Sequence, residues 1–166
     1  MSYGKYNYKV ITLTLYFENL PNAFDGFRLT HISDIHVGSL NDDKQLKNAI
    51  QLINEQSSDI LVFTGDIVNS HANEMNRWLP IFKEIRKHKY GMYSVLGNHD
   101  YGEYIKWPNE QAKTDNFNGI LDIHKKLDFS LLRNQSQVIN IGKDSLWIVG
   151  VENWGHNFKK AGDLEK

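Results

Sequence analysis

Three short segments of this chain concentrate residue types that hold metal ions and move protons: Ser33-Asp34-Ile35-His36, Thr64-Gly65-Asp66-Ile67-Val68-Asn69 and Gly97-Asn98-His99-Asp100. Asp34 and His36 are two apart, so in an extended segment both side chains leave one face and can grip a single ion. Asp66 brings two carboxylate oxygens, enough to bridge two ions. Asn98 offers a neutral amide oxygen, which binds a second cation without adding charge. His99, adjacent to Asn98, points elsewhere and suits a substrate better than that ion. Asp100 could accept a hydrogen bond from its imidazole, fixing the tautomer and raising the basicity. The chain has no Cys, so any metal must be held by oxygen and imidazole nitrogen. Gly65 and Gly97 permit the sharp strand exits that would let these backbones come close together.

Singly, each segment is ordinary. Gly, Asn and Asp are the commonest turn residues, and an Asp and a His after a strand are more often solvated neighbours than ligands. Their order and what precedes each change the reading. Residues 27–32 form a strand pattern that runs into Asp34 and His36, the continuous apolar run 60–63 runs into Asp66, and residues 92–96 run into Asn98, His99 and Asp100. Three successive strands thus deliver six metal- or proton-competent side chains to their C-terminal ends, the edge where open α/β sheets place their sites.

Helical patterns fill the intervals. Asn41 and Asp42 offer N-caps for a helix with Leu46, Ile50 and Ile53 on one face, ending near Ser57. Trp78, Ile81, Phe82 and Ile85 make a second stripe, interrupted by Pro80 and closed by Gly91, and Phe117, Ile120, Leu121 and Leu127 make a third. Residues 8–17 alternate β-branched and aromatic with polar side chains and predict a first strand or hairpin arm before a turn at 20–26. Residues 138–141 and 146–151 predict a hairpin across 142–145. Strands alternating with helices argue for a largely parallel, layered α/β sheet, and 166 residues suit a single domain spanning 1–166.

Composition narrows the partners. Lys and Arg total 19 against 20 for Asp and Glu, so no global field draws the chain to nucleic acid or to an anionic bilayer. The longest apolar stretches fall far short of the ~20 residues that cross a membrane, and residues 1–8 lack the basic segment and apolar run of a signal peptide. The chain as it stands reads as soluble, with its location otherwise unknown.

The three segments, as Asp34-x-His36, Gly65-Asp66-x-x-Asn69 and Gly97-Asn98-His99-Asp100, resemble the first three motifs of the calcineurin-like metallophosphoesterase superfamily over roughly residues 24–155. The resemblance implies an α/β/β/α sandwich of two mixed sheets and a phosphatase or phosphodiesterase working through a dinuclear metal centre and a bridging hydroxide. It implies that Asp34, His36 and Asp66 hold one ion, that Asp66 and Asn98 hold the other, that His99 stands over the leaving-group oxygen, and that Asp100 orients it. The ions implied are Mn, Fe or Zn, the hard and borderline cations such ligands favour. The stretch Gly150-Val151-Glu152-Asn153-Trp154-Gly155 further resembles a bacterial branch whose members are often membrane-anchored.

The chain departs from the family pattern at its far end. The later motifs that supply further imidazole ligands in the family, typically a Gly-His pair within a larger Gly-His-x-His loop, do not occur before Lys166. His31 is expected to be packed within its strand, His71 and His88 to cap or border helices, and His124 to lie in the core or on a helix surface, while His156 follows a strand and could approach the site. With Gly162-Asp163-Leu164-Glu165 resembling a helix start, the expectation is a domain incomplete at its C-terminus. Such a chain would bind at most one divalent ion weakly and would self-associate through an open sheet edge. Two rivals stay open: a folded piece with a partial metal site serving a structural or interaction role, and a nucleotide-binding α/β module. The latter has neither a Gly-x-Gly-x-x-Gly nor a Gly-x-x-x-x-Gly-Lys-Ser/Thr pattern to support it. Tyr101, Tyr104, Trp107 and Trp154 could line an aromatic wall beside a phosphate-ester substrate whose identity the residues do not reveal.

Overall fold

The apolar run Ile60–Phe63 forms a strand, β2, paired on both sides: with β1 (Leu29–Ile32) and with β3 (Met92–Ser94), all parallel. A two-residue strand, β4 (Ser130–Leu131), extends the parallel sheet beyond β3, giving the order β1-β2-β3-β4. The computed structural model describes residues 4–155 and 160–163.

The period of two along β2 separates two cores. Leu61 and Phe63 face a large cluster with Leu46, Ile50, Trp78, Phe82 and Ile120. Those residues come from α1 (Asp43–Glu55), the short α2 (Leu79–Phe82) with its preceding residue, and α3 (Glu110–Lys126). Ile60 and Val62 face the opposite way, onto Phe24, Tyr93 and the inner face of a hairpin made by β5 (Gln135–Ile141) and β6 (Asp144–Gly150). Ile139 and Ile141 on one arm and Leu146 and Ile148 on the other alternate inward, as a half-buried sheet requires. Helices on one face and a second sheet on the other make this a mixed, layered α/β fold. The hairpin's outer side leaves Trp147 and Val149 about two thirds exposed, at 65% and 66%.

Local chemistry explains the helix ends. Asp42 caps α1, its side chain accepting from the Gln45 amide at 3.1 Å, and Asn109 caps α3 by accepting from Ala112 at 2.8 Å. Pro80 lies in the first turn of α2, where its missing N–H costs nothing. Gly142, at a φ of 61°, supplies the positive dihedral that the two-residue loop of the β5–β6 hairpin demands.

Several expectations are corrected. Residues 8–17 form no strand: alternation supplies β-propensity, but a strand needs an edge to pair with. Among the described residues none of the backbone groups of 8–16 joins a sheet. Ile11 and Leu13 consequently stand about 80% exposed. His31 is exposed rather than packed, because β1 is an edge strand, and its Nε2 meets Thr64 Oγ1 at 2.7 Å. β4 escaped the sequence reading because two residues carry no periodicity. His156 lies outside the described residues, as do 164–165 of the helix start expected at 162–165, whose Gly162 and Asp163 are described and not helical.

His124 is buried in the core, its ring stacked on Phe63 (centroids 5.8 Å apart) and its Nδ1 2.9 Å from Ser94 Oγ, while Nε2 is buried with no partner among the described residues. Burial lowers its pKa from 6.5 to about 4. An unfolded chain therefore takes up a proton near pH 6.5 that the folded chain refuses until near pH 4. The stability this group confers is complete above 6.5 and is lost as pH falls between those values, in total about 3 kcal/mol. Asp100, pushed up from 3.8 to about 6 by burial, slopes the other way, losing stability as pH rises through 6. The readout is thus a difference: the gap between the urea midpoints of the wild type and His124→Gln should shrink from pH 7 toward pH 4, the opposing Asp100 slope being common to both curves. Parallel curves would show that His124 does not titrate this way.

Candidate metal centre

The chain leaves β1 and β2 by tight turns rather than by extended segments. Asp34, His36 and Asp66 have φ values of 52°, 48° and 60°, a region Asp and His enter more readily than most residues. This corrects the expectation that Asp34 and His36 share one face of an extended run. The turns remain hydrogen-bonded to each other: Asp34 N donates to Gly65 O, His36 N to Asp66 O and Val37 N to Ile67 O, each at 3.0 Å. The loops after β1 and β2 thus advance as a pair.

The loop after β3 is locked to them by two glycines. A Cβ on Gly97 would collide with the Asp66 amide and carboxylate, and one on Gly65, at a φ of 99°, would collide with the Gly97 backbone. The two backbones approach as closely as they do only because neither has a side chain.

These turns bring His36, Asp66 and His99 together, with one ligand-capable atom of each within 4.8 Å of the others. Asp66 Oδ2 lies 3.7 Å from His36 Nε2, while Oδ1 accepts from the His99 amide at 2.9 Å. Asp34 stands at the rim, largely exposed, with Oδ1 3.9 Å from His36 Nε2 and Oδ2 taking the Ser33 hydroxyl. Asn98 is less engaged: its amide nitrogen donates to Tyr104 Oη, which directs that amide toward an aromatic ring. An imidazole pair and a carboxylate converging on one point form a donor set that could hold a divalent metal ion. Asp66, at 7% exposure, would be costly there without a cationic or hydrogen-bonding partner.

Asp100 does not orient His99. It is fully buried, and its carboxylate collects three backbone N–H groups, from Asp66 and Gly97 at 2.9 Å and from Ile67 at 3.0 Å. It pins the Asp66 loop to the Asn98–His99 loop from beneath. Its pKa of about 6 reflects burial above all, opposed by the Gly97 and Asp66 amides, raised again by the nearby Asp66 charge and opposed by the Ile67 amide. The partner of His99 is instead the Asn69 carbonyl, 2.7 Å from Nδ1. A carbonyl only accepts, so Nδ1 carries hydrogen and Nε2 is the nitrogen left for chemistry.

Of the expected aromatic wall, Tyr104 alone lies against the site, stacked on His99 with ring centroids 4.3 Å apart. Tyr101 is buried against Phe117 and reaches Glu152, which also pairs with Arg133 at 2.8 Å. Trp107 stacks edge-on against His71, and Trp154 is exposed. Sequence reasoning missed Asn69 as the acceptor for His99, since a backbone carbonyl leaves no side-chain signature. It also missed Glu74, whose spacing of three from His71 is that of a capping box.

Comparison with known proteins bears on the same residues. The family model described as Calcineurin-like phosphoesterase matches residues 27–160. The chain is 33% identical over 87 residues to the uncharacterized metallophosphoesterase YkuE of Bacillus subtilis, covering 51% of this chain and 30% of that protein. It is 31% identical over 93 residues to a transmembrane protein with metallophosphoesterase domain from Danio rerio, covering 56% of this chain and 21% of the other. It is 39% identical over 90 residues to the UDP-2,3-diacylglucosamine pyrophosphatase LpxG of Chlamydia trachomatis, covering 52% and 27% respectively. The chain thus spans less than a third of each of these three relatives. No helix among the described residues is long and apolar enough to cross a membrane.

Proposed function

The chain belongs to the calcineurin-like phosphoesterase family, and we propose that it carries the metal-binding core of a phosphoester hydrolase. The observation that carries this reading is the meeting of His36, Asp66 and His99 at the ends of three parallel strands. In it, Asp34, His36 and Asp66 hold one divalent ion, and Asp66 with Asn98 contributes to a second. Two such ions, where both are bound, would supply a nucleophile at neutral pH and neutralise charge on the phosphoryl oxygens.

The residues of the chain do the rest. Asp66, fixed by its bond to the His99 amide, presents Oδ2 toward His36. His99, its Nδ1 hydrogen committed to Asn69, holds a proton at Nε2 for the departing oxygen. Asp100 keeps the two loops in register. The name of the Chlamydia relative supports a phosphate-anhydride substrate as one member of the class, and a phosphate monoester or diester is equally compatible with these residues.

One observation favours a second reading, a metal-binding piece without turnover: the metal-competent group among the described residues is His36, Asp66 and His99, which leaves a second ion few ligands there. Calorimetric titration of the chain with Mn²⁺, paired with hydrolysis of bis-p-nitrophenyl phosphate, tests both. The expected result is one ion per chain, lost in His36→Ala, with any hydrolysis stopped by a chelator. An ion without hydrolysis selects the second reading. No ion at all, or hydrolysis indifferent to the chelator, overturns the proposal.

A further inference from the structure

The loop that receives His99 is organised by a carboxylate outside the three motifs. Glu74 Oε2 accepts from the Asn69 amide at 2.7 Å, and its Oε1 accepts from Ser70 at 3.0 Å and His71 at 2.8 Å. Three consecutive N–H groups therefore turn inward onto one anion, and charge-assisted bonds of this kind are about twice as strong as neutral ones. The Asn69 carbonyl shares its peptide plane with the Ser70 N–H, so the Ser70–Glu74 bond, steadied on either side by those of Asn69 and His71, fixes the plane whose carbonyl meets His99 Nδ1. From the opposite side Gly38 leaves the carboxylate its space: a Cβ at that position would run into Glu74 Oε2 and Cδ, and would come within 3.1 Å of Asn69 Cγ.

We infer that Glu74 is a positioning residue for His99, setting its tautomer through the Asn69 carbonyl so that Nε2 faces the chemistry. The functional meaning rests on the reading of His99 as a proton donor; the tautomer itself does not. A free histidine side chain prefers its hydrogen on Nε2, so an Nδ1–H tautomer has to be imposed by the surroundings. Glu74→Gln introduces an amide NH₂ among three N–H donors and breaks the cradle. Gly38→Ala presses on the same carboxylate without altering it.

The test is the tautomer of His99 in the metal-free chain, read by long-range hydrogen–nitrogen NMR correlations and assigned by their loss in His99→Gln. The wild type should be almost wholly Nδ1–H at a pH where the ring is neutral. Glu74→Gln and Gly38→Ala should each shift the population to a mixture with a several-fold rise in Nε2–H. A Glu74 that served only the fold would lower the melting temperature and leave the tautomer alone. An Nε2–H or mixed wild type, or an unshifted Nδ1–H in the folded variants, overturns the inference. If Glu74→Gln does not fold, Gly38→Ala decides. Because neither metal nor substrate enters the measurement, a chain that hydrolyses nothing counts against the functional reading and not against Glu74.

Discussion

Asp66→Asn is expected to lower divalent-ion occupancy and phosphoester turnover together, by roughly 10²-fold or more. Substituting a group that merely supports a metal ligand costs about 10- to 100-fold, and Asp66 is proposed as a ligand itself. Its two oxygens are not equivalent. Oδ1 is committed to the His99 amide, so an asparagine keeps its carbonyl there and turns its NH₂ toward His36, where Oδ2 stands in the wild type. That substitution exchanges an anionic acceptor for a donor at the point where a cation would sit. The metal-free fold should not suffer, because the charge of Asp66 raises the pKa of buried Asp100 and its removal relieves that repulsion. Melting curves should therefore show the metal-free variant at least as stable as the wild type, with the upward shift on adding Mn²⁺ lost. Full occupancy with normal turnover would remove Asp66 from the site.

Much of this arrangement is legible in the residues alone. The apolar run Ile60–Phe63 announced a strand covered on both faces, and the residues following it, like those following the neighbouring strands, lie at one edge of the sheet as expected. What the sequence hid was the geometry between residue types. Asp34-x-His36 reads as two side chains on one face if the backbone is extended, but positive φ at both places them differently. A carboxylate beside a histidine reads as its partner, yet Asp100 turns away to three amides, two of them more than thirty residues distant in sequence. The true acceptor for His99 is a main-chain oxygen, and a one-dimensional reading of side chains has no means to find it. Residues 8–17 failed for a related reason. Strand character is a property of a pair, and one member of the pair is all that a local pattern describes.

These differences share a cause. Gly65 and Gly97 let two loops touch backbone to backbone, which buries amide groups that the sheet no longer satisfies. Asp100 and the Asp66 side chain take up those amides, so part of each motif's polarity serves the loops rather than the reaction. A motif of this density supplies its own scaffold, and its members divide between holding the loops and facing the solvent side where a substrate could enter.

His99 is where that division can be measured. His99→Gln should retain divalent-ion binding and lose rate, by ~10² to 10⁴ for esters whose leaving group needs a proton. Glutamine can still accept or donate a hydrogen bond, but it cannot carry a transferable proton as an imidazolium does at Nε2. The loss should shrink for p-nitrophenyl esters relative to phenyl or alkyl esters of the same phosphate, because p-nitrophenolate departs with little protonation. A plot of log rate against leaving-group pKa should therefore be steeper for the variant than for the wild type. Two outcomes would reassign the residue. Equal losses across the series would take away the proton-donor role and leave His99 as a binding group. Loss of the ion itself would move it into the ligand set with His36 and Asp66, as the 4.8 Å clustering of the three permits. In that event the Nδ1 contact with Asn69 would serve to aim a metal-ligating Nε2, an outer-shell role known to hold imidazole ligands in orientation.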